Sequence, residues 1–247
     1  MKLLVTVAHP DDEAFGCGSV LAHARASGLE SVVACATRGE LGEPSPRLRG
    51  EPPTPEQLGG IREAELREAC GLLGVSRVEV LSWTDSGMDG DPPASSLCAA
   101  EPADVEAAIA RVLAAERPDV VVTLDASDGH RDHAVVRDAT IAAVDRSAHP
   151  PRAMYLSCLP RSLMAEFTGA EHLGTPDDDI TTIVDASALL DQRWAAMRAH
   201  RSQVPPYDAM APELQAAFLG LDRLRRVRPA WAGGPVEDDW VPTVGRI

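Results

Sequence analysis

The sequence predicts an α/β fold: a Rossmann-like, doubly wound and mostly parallel sheet with helices on both faces and a C-terminal appendage. Three observations carry that prediction. Short β-rich apolar runs alternate with helical stretches of ten or more residues through about the first 150 positions, which is the rhythm of βαβ units. Right-handed crossovers close such units into a doubly wound sheet. The chain has 247 residues, 45% of them apolar, enough to bury a core of that kind.

The elements follow in order. Residues 2–8 are an apolar run of the buried-strand type, and residues 14–27 read as a helix stopped by Gly28. Residues 31–36 form a second apolar run, and residues 57–73 a second helix with its own terminal glycine, Gly74. Residues 78–81, 102–116 and 120–124 repeat strand, helix and strand, and residues 133–146 continue as a helix. Two punctuated loops interrupt the series at residues 39–60, with five prolines, and at residues 85–101. Loops longer than about 15 residues inside a compact domain are usually functional or mobile. After Pro150 the rhythm weakens. A strand at residues 180–184, a helix at 189–200 and a tail with Pro and Trp read as an appendage, residues 151–247, to a core of residues 1–150 in one domain.

Composition excludes several function classes. With 23 basic and 38 acidic residues the formal charge is −15, a surface that repels phosphate backbones and anionic lipid. Nucleic acid and membrane are therefore poor partners. No segment approaches the roughly 20 apolar residues that cross a bilayer, and the apolar run in MKLLVTVAHPDDE is too short for a signal peptide. The five cysteines (Cys17, Cys35, Cys70, Cys98, Cys158) form no CxxC pair and are odd in number. That usage fits a reduced, cytoplasmic protein with buried thiols. A homo-oligomer is left open.

Two strand ends carry the chemistry. The first is His9-Pro10-Asp11-Asp12-Glu13, directly before a helix and where ligands sit in open α/β sheets. The second, after residues 120–124, is Asp125-Ala126-Ser127-Asp128-Gly129-His130-Arg131-Asp132-His133. Two strand ends that each offer His and Asp can converge across one crevice. One Asp with two neutral imidazoles makes a three-ligand set with an open fourth position, the pattern of catalytic zinc. Asp11 would then be free to act as base on a metal-bound water.

Taken together, A-H-P-D-D-E and G-H-x-D-H resemble the LmbE/PIG-L-type family of zinc-dependent N-acetylglucosamine deacetylases. Further matches follow in family order: Thr37-Arg38-Gly39-Glu40, then Arg62 and Glu65, then Trp83-Thr84-Asp85-Ser86-Gly87-Met88. Residues 179–185 and His200-Arg201-Ser202-Gln203 resemble its C-terminal region. The Asp85-Ser86-Gly87-Met88 segment looks most similar to the actinobacterial branch, with its mycothiol-pathway deacetylase and conjugate amidase. The resemblance implies that His9, Asp12 and His133 hold Zn2+ or another divalent first-row metal. It implies Asp11 as general base, His130 as oxyanion stabiliser, and Asp132 as the acid tuning that histidine. Arg62 and Asp85 are implied to hold sugar hydroxyls. Two positions depart from the pattern: Arg131 stands where the family has proline, and Asp128 where some relatives carry tyrosine.

The expected function is a hydrolase removing an N-acetyl (N-acyl) group from a glucosamine-type small molecule or conjugate. The runners-up are an amidase acting on another N-acyl metabolite or thiol conjugate, and a non-catalytic metal- or sugar-binding module. A kinase is excluded: His130-Arg131-Asp132 lacks the Asn five positions on, where Arg137 stands, and no Asp-Phe-Gly exists. Dinucleotide binding is disfavoured because Pro10-Asp11-Asp12-Glu13 stands where GxGxxG would be, and its carboxylates repel pyrophosphate. Other readings are structural. Glu13 is expected to cap its helix, Cys17 to be a packed thiol, and His23, His149, His172 and His200 to be structural or exposed.

Overall fold

The computed structural model describes residues 1–241. Its first half runs β1 (Lys2–Val7), α1 (Asp12–Phe15), α2 (Gly18–Ala26), β2 (Glu30–Cys35), α3 (Pro55–Leu73), β3 (Arg77–Val80) and α4 (Pro102–Glu116). Its second half runs β4 (Val120–Leu124), α5 (Arg131–Asp145), β5 (Ala153–Ser157), α6 (Arg161–Thr168), β6 (Thr182–Asp185), α7 (Leu190–Ala199), α8 (Pro212–Leu219) and β7 (Leu221–Arg228). Among the described residues the strands form one sheet in the order β3-β2-β1-β4-β5-β7-β6. The first five are parallel, and β7 runs antiparallel to both β5 and β6.

Side chains alternate across the sheet, as the period of a strand requires. Leu3, Val5 and Val7 of β1 join Val33 and Cys35 of β2 on one face, packed under α2, α3 and α7. Leu4, Val32, Ala34 and Val121 face the other way, under α4 and α5. Both faces are covered, which is why the sequence shows apolar runs instead of alternation. α3 begins at a capping box: Thr54 accepts from the Gln57 N–H, and Gln57 accepts from the Thr54 N–H.

Three sequence expectations change. The helix expected at residues 14–27 is two helices broken at Gly16 and Cys17. A Cβ on Gly16 would lie 2.5 Å from Leu124 Cδ2, so the break between α1 and α2 packs closely against the end of β4. Of residues 151–247, expected as an appendage, the described part to residue 241 joins the same sheet through β5, β7 and β6; residues 242–247 lie outside the described residues. β7 escaped notice because its sequence, LDRLRRVR, is dominated by arginines. Those arginines are partnered along the strand: Arg225 reaches Asp125, Arg226 reaches Glu237, and Arg228 reaches Asp145.

Candidate active site

The strand order reverses direction between β1 and β4: β1 is followed by α1 and α2 on the way to β2, and β4 by α5 on the way to β5. The crevice outside the carboxyl ends of two such strands is the ligand site of an open α/β sheet. Both expected motifs open into it. Each loop holds a non-glycine residue at positive φ, Asp11 at 116° and Ala126 at 61°. Backbone strain of that kind persists only where surrounding contacts over-determine it. At Asp11 they do: its N–H donates to Glu13 Oε2 at 2.9 Å, and Arg62 Nη2 donates to its Oδ2 at 2.9 Å.

Two imidazoles and one carboxylate meet at the centre. His133 Nδ1 lies 2.7 Å from Asp128 Oδ2, which fixes its proton there and turns Nε2 inward as a lone pair. That Nε2 is buried without a hydrogen-bond partner and faces Asp12 Oδ1 at 3.2 Å. His9 repeats the pattern. Its Nε2 lies 3.1 Å from Asp132 Oδ2, while Nδ1 faces Asp12 Oδ2 at 3.6 Å. Lone pairs that face a carboxylate repel it unless a proton or a metal cation stands between them. His9, Asp12 and His133 therefore fit a metal, with Asp132 and Asp128 as the carboxylates that orient the two imidazoles.

Protons compete with a metal for the same nitrogens. Burial works against charge on His9, yet its bonds to Asp12 and Asp132 raise it to about 9. His133 is likewise driven well above its ordinary value: burial opposes the shift, but Asp12 and Asp128 outweigh it. Asp12, which burial alone would raise, is held well below the carboxylate range by His133 and His9. The cluster is built to stabilise positive charge. Among the described residues, the groups whose possible ligand atoms lie within 4.8 Å of one another are His9, His130 and His133, and His9, Asp85 and Asp132. Asp12 meets His9 and His133 with different oxygens, and His130 borders the same centre.

Asp11 and His130 differ from these three residues. Asp11 is pushed up to about 6 by burial, partly countered by Arg62. His130 caps α5: its Nδ1 accepts the Asp132 N–H at 3.2 Å, leaving Nε2 as the protonated nitrogen of the neutral ring. Burial, with His9 and His133 nearby, lowers it to about 4, so it is a neutral donor.

Several assignments shift. Asp132 was expected to tune His130; its carboxylate is hydrogen-bonded to His9 and the Ser86 N–H, and it acts on the His130 ring through charge while its backbone N–H donates to Nδ1. Arg62 is buried and directs its terminal nitrogens to Gly39 O, Pro10 O and Asp11 Oδ2, so its contacts are with the proposed base. It lies so close under Gly39 (φ 64°) that a Cβ there would sit 2.4 Å from Nη1. Asp85 forms an Asx turn, accepting the Gly87 N–H at 2.7 Å, and it also stands 3.7 Å from His9 Nε2. Glu13 caps its helix as expected, accepting the N–H of the N-cap residue Asp11 with one oxygen, and with the other it also pairs with His200, which is buried. Asp128 and the Glu13–His200 pair are functional candidates that sequence reasoning missed. The visible signal was Asp128 standing five residues before His133.

Residues 4–144 match the model of the PIG-L family, described as GlcNAc-PI de-N-acetylase. The chain belongs to the PIG-L family. All eight residues expected to form the site, from His9 to His133, fall inside the matched region. Among PIG-L relatives, the 1D-myo-inositol 2-acetamido-2-deoxy-alpha-D-glucopyranoside deacetylase of Acidothermus cellulolyticus is 34% identical, covering 90% of this chain and 87% of that protein. The deacetylase of the same name from Saccharomonospora viridis is 37% identical, covering 82% of this chain and 85% of that one. The solved N,N'-diacetylchitobiose deacetylase of Pyrococcus horikoshii superposes with a TM-score of 0.69 at 22% identity, covering 91% of this chain and 83% of that chain. That last likeness shows the fold. Among the described residues of this PIG-L member, no helix is long and apolar enough to cross a membrane.

Proposed function

We propose that this chain hydrolyses the N-acetyl amide of a glucosamine-type sugar or sugar conjugate, with zinc held by His9, Asp12 and His133. The observation that carries the reading is the buried, unpartnered His133 Nε2 facing Asp12 Oδ1 at 3.2 Å, beside an Asp11 raised to about 6. A non-catalytic metal site needs the first feature but has no use for the second. Zinc in a two-His, one-carboxylate set keeps an open position and supplies a Lewis acid for water and for the carbonyl.

The chain's own groups supply the rest. Asp11, aligned by Arg62, takes a proton from the attacking water as its oxygen bonds to the acetyl carbon. His130 donates from Nε2 to the oxygen that becomes negative. The C–N bond then breaks, and the proton collected by Asp11 passes to the departing nitrogen, so that acetate and a free amine leave. Asp85, beside His9, meets the sugar hydroxyls. A deacetylase of amino-sugar conjugates is also what both similar actinobacterial relatives are named.

Supporting features extend the reading to the whole chain. The continuous sheet supports one metallohydrolase domain over residues 1–247, and the five free cysteines support a reducing, cytoplasmic setting. The charge of −15 argues for a small-molecule substrate over nucleic acid. The test is a panel of N-acyl glucosaminides and simple acetamides given to zinc-loaded protein, with freed primary amine as readout. Release from N-acetylglucosaminides supports the reading; a panel left intact refutes it.

A further inference from the structure

Arg131 is the first residue of α5, between His130 and Asp132, and so a cation at the positive end of a helix dipole. Something must offset that placement. Its guanidinium turns away from the helix and donates into a single turn across the crevice: Nε to Gly87 O at 2.6 Å, Nη1 to Gly90 O at 2.8 Å, and Nη2 to Ser86 O and to Asp89 O. Among the described residues Arg131 forms no ion pair, so carbonyl oxygens are its partners.

The turn is anchored at its start, where the Gly87 N–H donates to Asp85 and the Cys98 N–H to Ser86 Oγ, while Arg131 holds the carbonyls of its tip, Asp89 and Gly90. Gly87 and Gly90 sit at φ 67° and 75°, and Met88 is 60% exposed. Yet this turn delivers two groups to the reaction centre. Asp85 stands 3.7 Å from His9 Nε2, and the Ser86 N–H donates to Asp132 Oδ2 at 3.0 Å. We propose that Arg131 is a positioning residue that sets amino-sugar specificity by clamping residues 86–90 to the N-terminus of α5, so that Asp85 is presented at a fixed depth. The inference rests on the reading that Asp85 meets the sugar. Only a planar fork can serve carbonyls from four residues at once, which a lysine ammonium cannot do.

The test compares wild type, Arg131→Lys, Asp85→Ala and the double variant, all zinc-loaded, on an N-acetylglucosamine conjugate and on the acetamide of an aliphatic amine. Amide hydrogen exchange over residues 84–98 is measured in parallel. Arg131→Lys should raise KM for the sugar about tenfold, the size of one charge-assisted hydrogen bond, with a smaller change in kcat and a smaller loss on the aliphatic amide. Exchange should quicken at residues 86–90 while the later turns of α5 stay protected. The double variant should lose no more sugar selectivity than Asp85→Ala alone. Equal losses on both substrates, unchanged exchange in the turn, or additive losses in the double variant would each overturn the proposal. If wild type leaves the sugar amide intact, the functional reading fails, and the exchange data alone decide whether Arg131 holds the turn.

Discussion

Glu13 Oε1 and His200 Nε2 lie 2.6 Å apart, and both side chains are fully buried. The second oxygen of Glu13 accepts the backbone N–H of Asp11, so one carboxylate ties the C-terminal region to the strained residue proposed as base. Burial opposes charge on His200, but Glu13 and Asp11 outweigh it and raise its pKa. His200→Ala would leave the Glu13 carboxylate buried and unpaired, which costs about 3–5 kcal/mol. Urea unfolding checks this: the midpoint should fall markedly, and turnover should fall with it as Asp11 loses its support. Unchanged stability would remove His200 from the account.

Asp128 fixes His133 through Nδ1 at 2.7 Å. Carboxylates behind a metal-ligating histidine are typically worth about 10–100-fold in metal affinity or activity. Asp128→Ala should weaken metal binding by that order in competition with a chelator. Undiminished affinity would show that His133 needs no such partner.

The pH dependence follows from Asp11, raised to about 6. As a base it works only when ionised, so kcat/KM should rise with pH through a limb at or below about 6 and level off above it. A cation bound beside it moves that limb down and never up. His130, lowered to about 4, stays neutral over the same range and adds no second limb there. Asp11→Asn should abolish the limb and cut turnover by roughly 10²–10⁴-fold while metal content persists.

His130→Ala should keep metal and lose mainly kcat, by about 10²–10³-fold, because an oxyanion donor acts in the transition state. Steady-state kinetics separate the cases. A raised KM at normal kcat would make His130 a binding residue only.

Asp85→Ala should weaken cleavage of the amino-sugar amide far more than cleavage of an aliphatic acetamide. A buried acid built to pair with a hydroxyl discriminates strongly when that partner is missing. Equal slowing of both substrates would take Asp85 out of sugar recognition.

The sequence made the centre of the fold legible because the same physics wrote both records. β1, β2 and β4 are covered on both faces, so their apolar runs stand out, and the His-Pro-Asp-Asp and Gly-His-Arg-Asp-His strings mark the strand ends that meet. Contacts across long sequence separations left no such trace. Asp132 pairs with His9 over 123 positions and Glu13 with His200 over 187. Arg62 lies three positions before Glu65 on a helix, and nothing in that spacing shows that its guanidinium reaches Pro10 O and Asp11. β7 is hidden because its hydrogen bonding in the sheet is carried by a sequence of charged residues whose partners lie on other elements.

The central claim is that a metal held by His9, Asp12 and His133 works with this chain to free the amine of an N-acetylated amino sugar. The most direct measurement strips the protein with a chelator, titrates zinc back, and follows primary amine released from an N-acetylglucosamine conjugate. The account predicts negligible release without metal and activity that climbs to a plateau at one zinc per chain. Full activity in the stripped protein, or no release at saturating zinc, would contradict it.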